Sequence, residues 1–403
     1  MKIGIDKISF FVPKYYLTLE DLAVARQIDP MKYTRGLMQE KMAITPLNQD
    51  TISMAANAAL NILTNEDIEK IDLVMFATET SVDHSKAAAT NLISILGLKN
   101  QTRVIELKQA CYAATAALNF AKGHILQNPD SKVLVVASDI ARYGLKTDGE
   151  ATQGAGSVAM IVSKDPKITV INQHAGFYSD DLYDFFRPSH MDYALVEGHY
   201  SNEMYKKFFN ESYNDFLNKS NQTLDDLKAV TFHIPYVKIG LKTLSFLTNP
   251  DERLDLFENF KDATIYNKQI GNIYTGSLYL SLISLLEQGN LKDNEQIGLY
   301  SYGSGAIGEF FSMTTVEGYK HHLNKVHHEK MLNDRVNLSI DEYENIFNSI
   351  IKNDFIFDDE PHEEIILKQI KNYKRYYEKK NTWKCSFFIL LWKRLKNLKN
   401  RVK

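Results

Sequence analysis

Apolar positions near the start of this chain follow one period and then another, and each change marks an element. The opening run from Met1 to Tyr16 alternates like a strand. Thr18-Leu19-Glu20-Asp21 then carries an N-cap and first-turn acids, which predicts a helix through Ala23, Val24 and Ala25 that closes at Asp29-Pro30. Ile52 to Leu63 is Ala-rich and helical. Ile71 to Ala77 is a continuous apolar run of strand length, with Glu79 just past its C-terminal end. A helix over Lys86 to Leu96 stops at Gly97. Strands are predicted at Val104 to Leu107, Lys132 to Ala137 and Gly156 to Ser163, so strand and helix alternate as in an α/β sheet.

The second half repeats this order. Val230 to Phe232 is a short strand ending at His233, as the Ile71 strand ends at Glu79. Gly271-Asn272-Ile273-Tyr274-Thr275-Gly276-Ser277-Leu278 opens an apolar helix much as Ala110 to Ala117 opens an earlier one. Strands at Ile297 to Tyr302 and Ala306 to Thr314 flank Gly303-Ser304-Gly305 and close the half. An internal duplication brings both helix starts to one pseudo-twofold centre, where Glu79, His233 and Asn272 converge on Cys111. The aromatics between Ala175 and Leu227 fit core or dimer packing. After Val316 the pattern predicts charged helices through Tyr377.

Composition narrows the function. At 403 residues the chain has length for one large domain or two ordinary ones, and a net charge of -3 offers no general attraction to nucleic acid. Its two cysteines, Cys111 and Cys385, suit a reducing compartment such as the cytoplasm, and argue against a disulfide framework or a cysteine-built metal site. No zinc-ligand spacing or P-loop is present. The N-terminus lacks the pattern of a signal peptide, and no apolar run approaches the roughly 20 residues that span a bilayer.

Cys111 sits where a β-rich run, Val104 to Leu107, passes through Lys108-Gln109-Ala110 into a long Ala/Leu segment. In the first turn of a helix it would feel the positive dipole end and unpaired N–H groups, which favour the nucleophilic thiolate. Alone, such a cysteine also fits inert packing, His233 a satisfied core histidine, and Glu79 a solvated acid. Together a thiol, a histidine, an asparagine and a carboxylate suit acyl transfer through a thioester. The glycine turns at Gly154-Ala155-Gly156 and Gly303-Ser304-Gly305 would let backbone N–H groups approach a reacting oxygen.

The stretches GIDKISFFVPKYY, KQACYAAT, KVLVVASDIARYG, TQGAGSVAM, YDFFRP, FHIPYVKIGLK, GNIYTGSLYLSLISLLE and YSYGSGAIGEF resemble, in this order, the bacterial-type 3-hydroxy-3-methylglutaryl-CoA synthases of the thiolase superfamily. The resemblance runs from Met1 to about Tyr377. It implies two βαβαβ halves, 1–172 and 173–377, stacked as five αβαβα layers in a homodimer. The implied reaction condenses acetyl-CoA, acetoacetyl-CoA and water in the mevalonate route to isoprenoids, with no metal or redox cofactor. Cys111 would carry the acetyl group, Glu79 would move the methyl proton, and His233 would polarise and protonate the acetoacetyl oxygen. Asn272 would orient the second substrate, and the N–H groups of Cys111 and Ser304 would hold the thioester oxygen. Asp29, Tyr143, Thr152, Ser201, Lys238 and Lys242 match family positions around the acyl and CoA parts.

The chain departs from the family pattern at Gly36-Leu37-Met38-Gln39, where Gly-x-Gly-Gln is usual, with Arg35 just before it. Glu197, Ala151 and Gln109 replace a usual Asp, Pro and Glu. An alternative is a polyketide β-branching synthase acting on an acyl-carrier-protein thioester. A thiolase normally uses a second catalytic cysteine, a ketoacyl synthase lacks the Glu79 equivalent, and a non-catalytic scaffold need not keep Cys111, Glu79 and His233. Residues 378–403 form a basic amphipathic extension on the helical pattern, suited to weak contact with an anionic membrane surface or to docking on the domain.

Overall fold

The computed structural model describes residues 1–191, 193–349, 354–357 and 364–379. Nine strands build its main sheet: β1 (Ile3–Phe11), β2 (Ile71–Ala77), β3 (Arg103–Leu107), β4 (Lys132–Ala141), β5 (Gly154–Lys164), β6 (Thr169–Ser179), β7 (Ala229–Phe232), β8 (Gln296–Gly303) and β9 (Ile307–Thr315). They run in the order β7-β8-β9-β6-β1-β5-β4-β2-β3. The duplication is visible in that order. From β1 outward the pairings are antiparallel to β5, antiparallel to β4 and parallel to β2; from β6 outward they are antiparallel to β9, antiparallel to β8 and parallel to β7. Only β3, parallel to β2, lacks a counterpart among the described residues.

The half-sheets join through just Gly4 against Val170 and Ile5 against Thr169. A Cβ at Gly4 would lie 1.9 Å from the Thr169 carbonyl oxygen, so only glycine lets the two backbones cross there. The expected boundary at 172/173 falls inside β6, whose pairing places the whole strand in the second half.

Period-two alternation sorts each strand between layers. On β2, Leu73, Met75 and Ala77 face a central layer made by α3 (Ala113–Gln127) and α7 (Ser277–Gln288), while Val74 and Phe76 face α1 (Thr51–Leu60) and α2 (Ala89–Leu96). In the second half, Ile297 and Leu299 of β8 face the central helices, whereas Tyr300 and Tyr302 pack with α4 (Gly198–Ser220), α5 (Val237–Leu247) and α6 (Pro250–Ala263). The result is five layers, αβαβα. A helix between two sheets has no solvent face, and this is why α7 is apolar all round and buried from Ser277 through Glu287.

The predicted N-terminal elements appear with small shifts, Thr18 capping Leu19–Ala25 through the Asp21 N–H. The expectation of helices through Tyr377 is corrected. Helices Lys325–Asn333 and Ile340–Asn348 are followed by a hairpin of Ile365–Lys371 with Lys374–Lys379. Its buried Ile365 docks on α1, where the Asn57 amide bonds both the N–H and the C=O of Ile365 at 2.9 Å, while Leu367 packs with Phe357 and Ile370. Beyond Glu378 and Lys379, the predicted basic extension lies outside the described residues. Among the described residues no helix is long and apolar enough to cross a membrane.

Candidate active site

Cys111 and Glu79 meet. The thiol donates to Glu79 Oε1 at 3.1 Å, so the end of β2 and the turn before α3 present their two reactive groups to each other. The turn is tight: Ala110 has φ +42° and Gln109 bridges to Cys111. Helix α3 begins at Ala113, so Cys111 lies before the first helical turn rather than in it. The expected thiolate is also corrected, because burial and then the Glu79 carboxylate push the thiol well above its ordinary range. Glu79 itself is pushed up to about 8, by burial first and by Asp139 second, against the opposing pull of the Cys111 hydrogen bond and of Arg187. At rest the pair is therefore a neutral thiol beside a carboxyl poised near physiological pH.

Asp139, which sequence reasoning missed, holds this geometry. It is fully buried on β4, and its Oδ1 accepts from the Glu79 N–H at 2.9 Å and the Thr80 N–H at 3.1 Å. Its Oδ2 accepts from the Thr275 N–H at 3.1 Å and from the Thr275 hydroxyl. One carboxylate thus joins the Glu79 strand end of the first half to the helix start of the second. The available signal was an acid following an unbroken apolar strand, Val133 to Ala137, which a buried network accounts for better than a solvated loop.

The duplication also acquires a corrected register here. Tyr274 has φ +42° and stands three residues before α7, as Ala110 does before α3, so Thr275 rather than Asn272 is the structural counterpart of Cys111. Asn272 is buried beside it. Its Nδ2 donates to Tyr143 Oη at 3.2 Å, and its Oδ1 accepts from the Tyr274 N–H at 2.9 Å and Ser277 Oγ at 2.8 Å. Tyr143 and Tyr274 form an apolar wall with Phe185 against Cys111, so Asn272 reaches the thiol's surroundings through Tyr143.

His233 follows β7 as Glu79 follows β2. It is buried, and among the described residues no hydrogen bond joins it to Cys111 or Glu79 and its Nδ1 has no partner. Burial lowers it to about 3, so the ring is neutral. Its backbone is held at both ends, the N–H by Tyr300 O at 2.7 Å and the carbonyl by Tyr205 Oη at 2.6 Å.

The Gly303-Ser304-Gly305 turn lies against the cysteine turn: a Cβ on Gly303 would stand 2.5 Å from Gln109 O and 2.6 Å from Tyr112 Cβ. Buried Asp184, also missed, secures it by accepting from Tyr302 Oη at 2.7 Å and the Gly305 N–H at 2.9 Å. The other glycine turn behaves differently. Gly154 and Gly156 belong to β5, and Gly154 packs on the Gly271 and Asn272 backbone at the edge of the cleft.

An open cleft of about 1130 Å³ reaches Glu79, Ala110 and Ser304, with Phe185, Arg187 and Tyr274 on its walls. The remaining expected substrate residues are not joined to the thiol by any contact. Asp29 is exposed and caps the Met31 N–H, and Thr152 donates to Gly149 O. Ser201 leans on Asp184 at 3.4 Å. Lys238 and exposed Lys242 stand one turn apart on α5, whose start is tied to the altered loop by Lys238 N–H to Leu37 O at 3.0 Å and by Val237 N–H to Gln39 Oε1 at 3.2 Å. In that loop Met38 occupies the usual glycine position with φ +59°. This left-handed backbone costs a non-glycine residue about 1–2 kcal/mol.

Known proteins share this arrangement. The hydroxymethylglutaryl-coenzyme A synthase N-terminal family matches residues 1–167, and its C-terminal counterpart matches 168–262 and 254–356. A hydroxymethylglutaryl-CoA synthase of Enterococcus faecalis is 47% identical over 358 residues, covering 88% of this chain and 94% of the relative. A polyketide 3-hydroxy-3-methylglutaryl-ACP synthase of Bacillus subtilis is 29% identical, covering 85% and 87%. A crystal structure of HMG-CoA synthase complexed with CoA superposes with a TM-score of 0.92 at 43% identity, covering 94% of this chain and all of that one. Fold, motif order and likeness over nearly the whole length agree: the chain belongs to the hydroxymethylglutaryl-CoA synthase family.

Proposed function

We propose that this protein condenses acetyl-CoA with acetoacetyl-CoA and water to hydroxymethylglutaryl-CoA through an acetyl-Cys111 intermediate, as an acyltransferase of the mevalonate route. The observation that carries the chemistry is the 3.1 Å contact of Cys111 Sγ with Glu79 at the cleft. The greater likeness to the E. faecalis CoA enzyme than to the carrier-protein synthase favours CoA thioesters over carrier-bound ones.

In the first step Cys111 attacks the acetyl thioester, its proton passes through Glu79 to the departing sulfur so that CoA leaves as the thiol, and Glu79 is left as the free carboxylate. Backbone N–H groups of Cys111 and Ser304 hold the thioester oxygen; the Gly303 contact supports their nearness. Glu79 then takes a proton from the acetyl methyl, and the carbanion equivalent adds to the acetoacetyl ketone. His233, neutral by burial, polarises that oxygen as an N–H donor and relays to the developing alkoxide the proton that Glu79 took from the methyl, so that its ring ends the step neutral again. Water cleaves the Cys111 thioester and frees the product. Asn272, Tyr143, Thr152, Ser201 and Asp29 serve the acyl and pantetheine parts, and Lys238 and Lys242 suit the CoA phosphates.

A homodimer and a cytoplasmic location belong to the same reading. Among the described residues the edge strand β3 has an unpaired side, with Ile105 45% exposed, and Phe120 on the following helix is 57% exposed, surfaces suited to a second copy. To test the reaction, the protein is incubated with labelled acetyl-CoA and then offered acetoacetyl-CoA or an acetoacetyl carrier protein. Label is expected on Cys111, with turnover on the CoA substrate, and Cys111→Ala should abolish both. An adduct that survives in Cys111→Ala sinks the assignment.

A further inference from the structure

Between β6 and α4 the chain lines the cleft as a flap, residues 180–191 and 193–197, in which Phe185–Phe186 pairs antiparallel with Leu195–Val196. Two side chains three residues apart tie it to opposite halves of the molecule. Asp184 bonds the Tyr302 hydroxyl and the Gly305 N–H of the second half. Arg187 turns to the first half, where its Nη2 donates to the Glu79 carbonyl oxygen at 2.6 Å. Between them Phe185 lies edge-on to Tyr143 and Tyr274, with ring centroids 5.8 Å from each. Glu79 is thereby held on both sides of its Cα, its N–H by Asp139 and its C=O by Arg187.

We propose that Arg187 is a positioning residue for Glu79: a latch that holds the flap down and sets a fixed positive charge beside the carboxylate that moves the substrate proton. The inference rests on the assignment of Glu79 to that role. Groups facing Glu79 come from five places: Asp139 on β4, Cys111 in the turn, Arg187 on the flap, the Tyr143 hydroxyl after β4 and the Tyr274 hydroxyl before α7. Burial and Asp139 raise its proton affinity, while the Cys111 hydrogen bond and Arg187 lower it, and Arg187 is the cation of this set. Arginine's fork can bond the carbonyl and still project charge toward the side chain. Because the guanidinium belongs to the flap, lifting the flap removes bond and charge together.

The test uses the full chain with Arg187→Gln and Arg187→Lys, reading acetyl-Cys111 by mass spectrometry and the pH profile of condensation with acetoacetyl-CoA. Arg187 is exposed, so both variants should fold. Arg187→Gln should move the acid limb upward by about one pH unit, slowing condensation near neutral pH about tenfold. Arg187→Lys should keep the limb near its wild-type position. A glutamine variant whose profile is merely scaled down, with the limb unmoved, overturns the latch. A wild-type protein that forms no adduct or does not condense removes the reaction itself, and a wild-type acid limb persisting in Glu79→Gln removes the Glu79 assignment; neither outcome resembles a scaled-down profile.

Discussion

A cysteine and a glutamate 3.1 Å apart behave unlike either alone. Both are half-buried at the cleft, and desolvation together with their mutual contact makes either charge costly, so each group holds its proton more tightly than it would in water. Transthioesterification asks little of a base, since a thiol is acidic enough to give up its proton during attack. Removing a proton from a thioester methyl asks much more. Glu79→Gln should therefore lower condensation by roughly two to four powers of ten while acetylation falls less; equal losses in single-turnover assays would contradict this division. Stability should move the other way. Glu79 has a folded-state value of about 8, above its ordinary 4.5, so the native state binds the extra proton. Its cost to stability is absent below the ordinary value and grows as pH rises through 8. Glu79→Gln should thus melt at a higher temperature than wild type at pH 9, with the gap closing toward pH 4. A constant gap across that range would show that the carboxylate is not strained.

Elements place these residues by meeting end to end. The cysteine turn, the Gly303 turn and the start of α7 are three short segments from distant parts of the chain, each held by a buried acid or by backbone packing without room for a side chain. Gly303→Ala puts a methyl group 2.5 Å from Gln109 O, so the two turns must separate. Overpacking of this kind costs about 1–3 kcal/mol, which a protein of this size tolerates. Acetylation should slow by about a hundredfold or more through displacement of an oxyanion donor. Stopped-flow acetylation beside a thermal melt distinguishes this from unfolding, and an unslowed rate would mean that the Ser304 N–H is not used. The helix starts and strand ends were legible from caps and period. The hairpin at Ile365–Lys379 was not, because its charged face hid the alternation and its docking site is an asparagine some 300 positions away, the separation to Asn57 being 308.

At the scale of the molecule, five layers are stitched by buried polar groups that have no catalytic task. Ser9 on β1 bonds His328 Nε2 at 2.7 Å, and His328 Nδ1 bonds Glu287 Oε1 on α7 at 2.8 Å. Ser9, His328 and Glu287 share the order of a hydrolase triad, yet all three are buried and do not line the active-site cleft. They clasp the helix Lys325–Asn333 to the sheet centre. Glu287 also accepts from Tyr266 Oη at 2.6 Å and the Asn324 N–H at 3.2 Å. Glu287→Ala strands these donors and should destabilise the fold by about 2–4 kcal/mol, measured by denaturant unfolding, while acetylation of the folded fraction keeps its rate. A melt unchanged from wild type would show that water replaces the carboxylate.

The one-dimensional pattern determined the layer architecture. Period two and period 3.6 are local consequences of backbone geometry, and their repetition in the same order announced the duplicated halves before any contact was known. Cys111 and Glu79 were legible for the same reason, since a strand end and a helix start are local features. Tertiary structure alone decided what those groups become. The thiol is neutral because the fold desolvates it first and lays the Glu79 carboxyl against it second, and Asp139 and Asp184 matter because the fold carries their acceptors to segments far along the chain. The counterpart of Cys111 proved to be Thr275, a register that two strained turns reveal and residue identities conceal. Proton affinity and hydrogen-bond partnership depend on distance through space and on excluded water, neither of which has a period along the sequence.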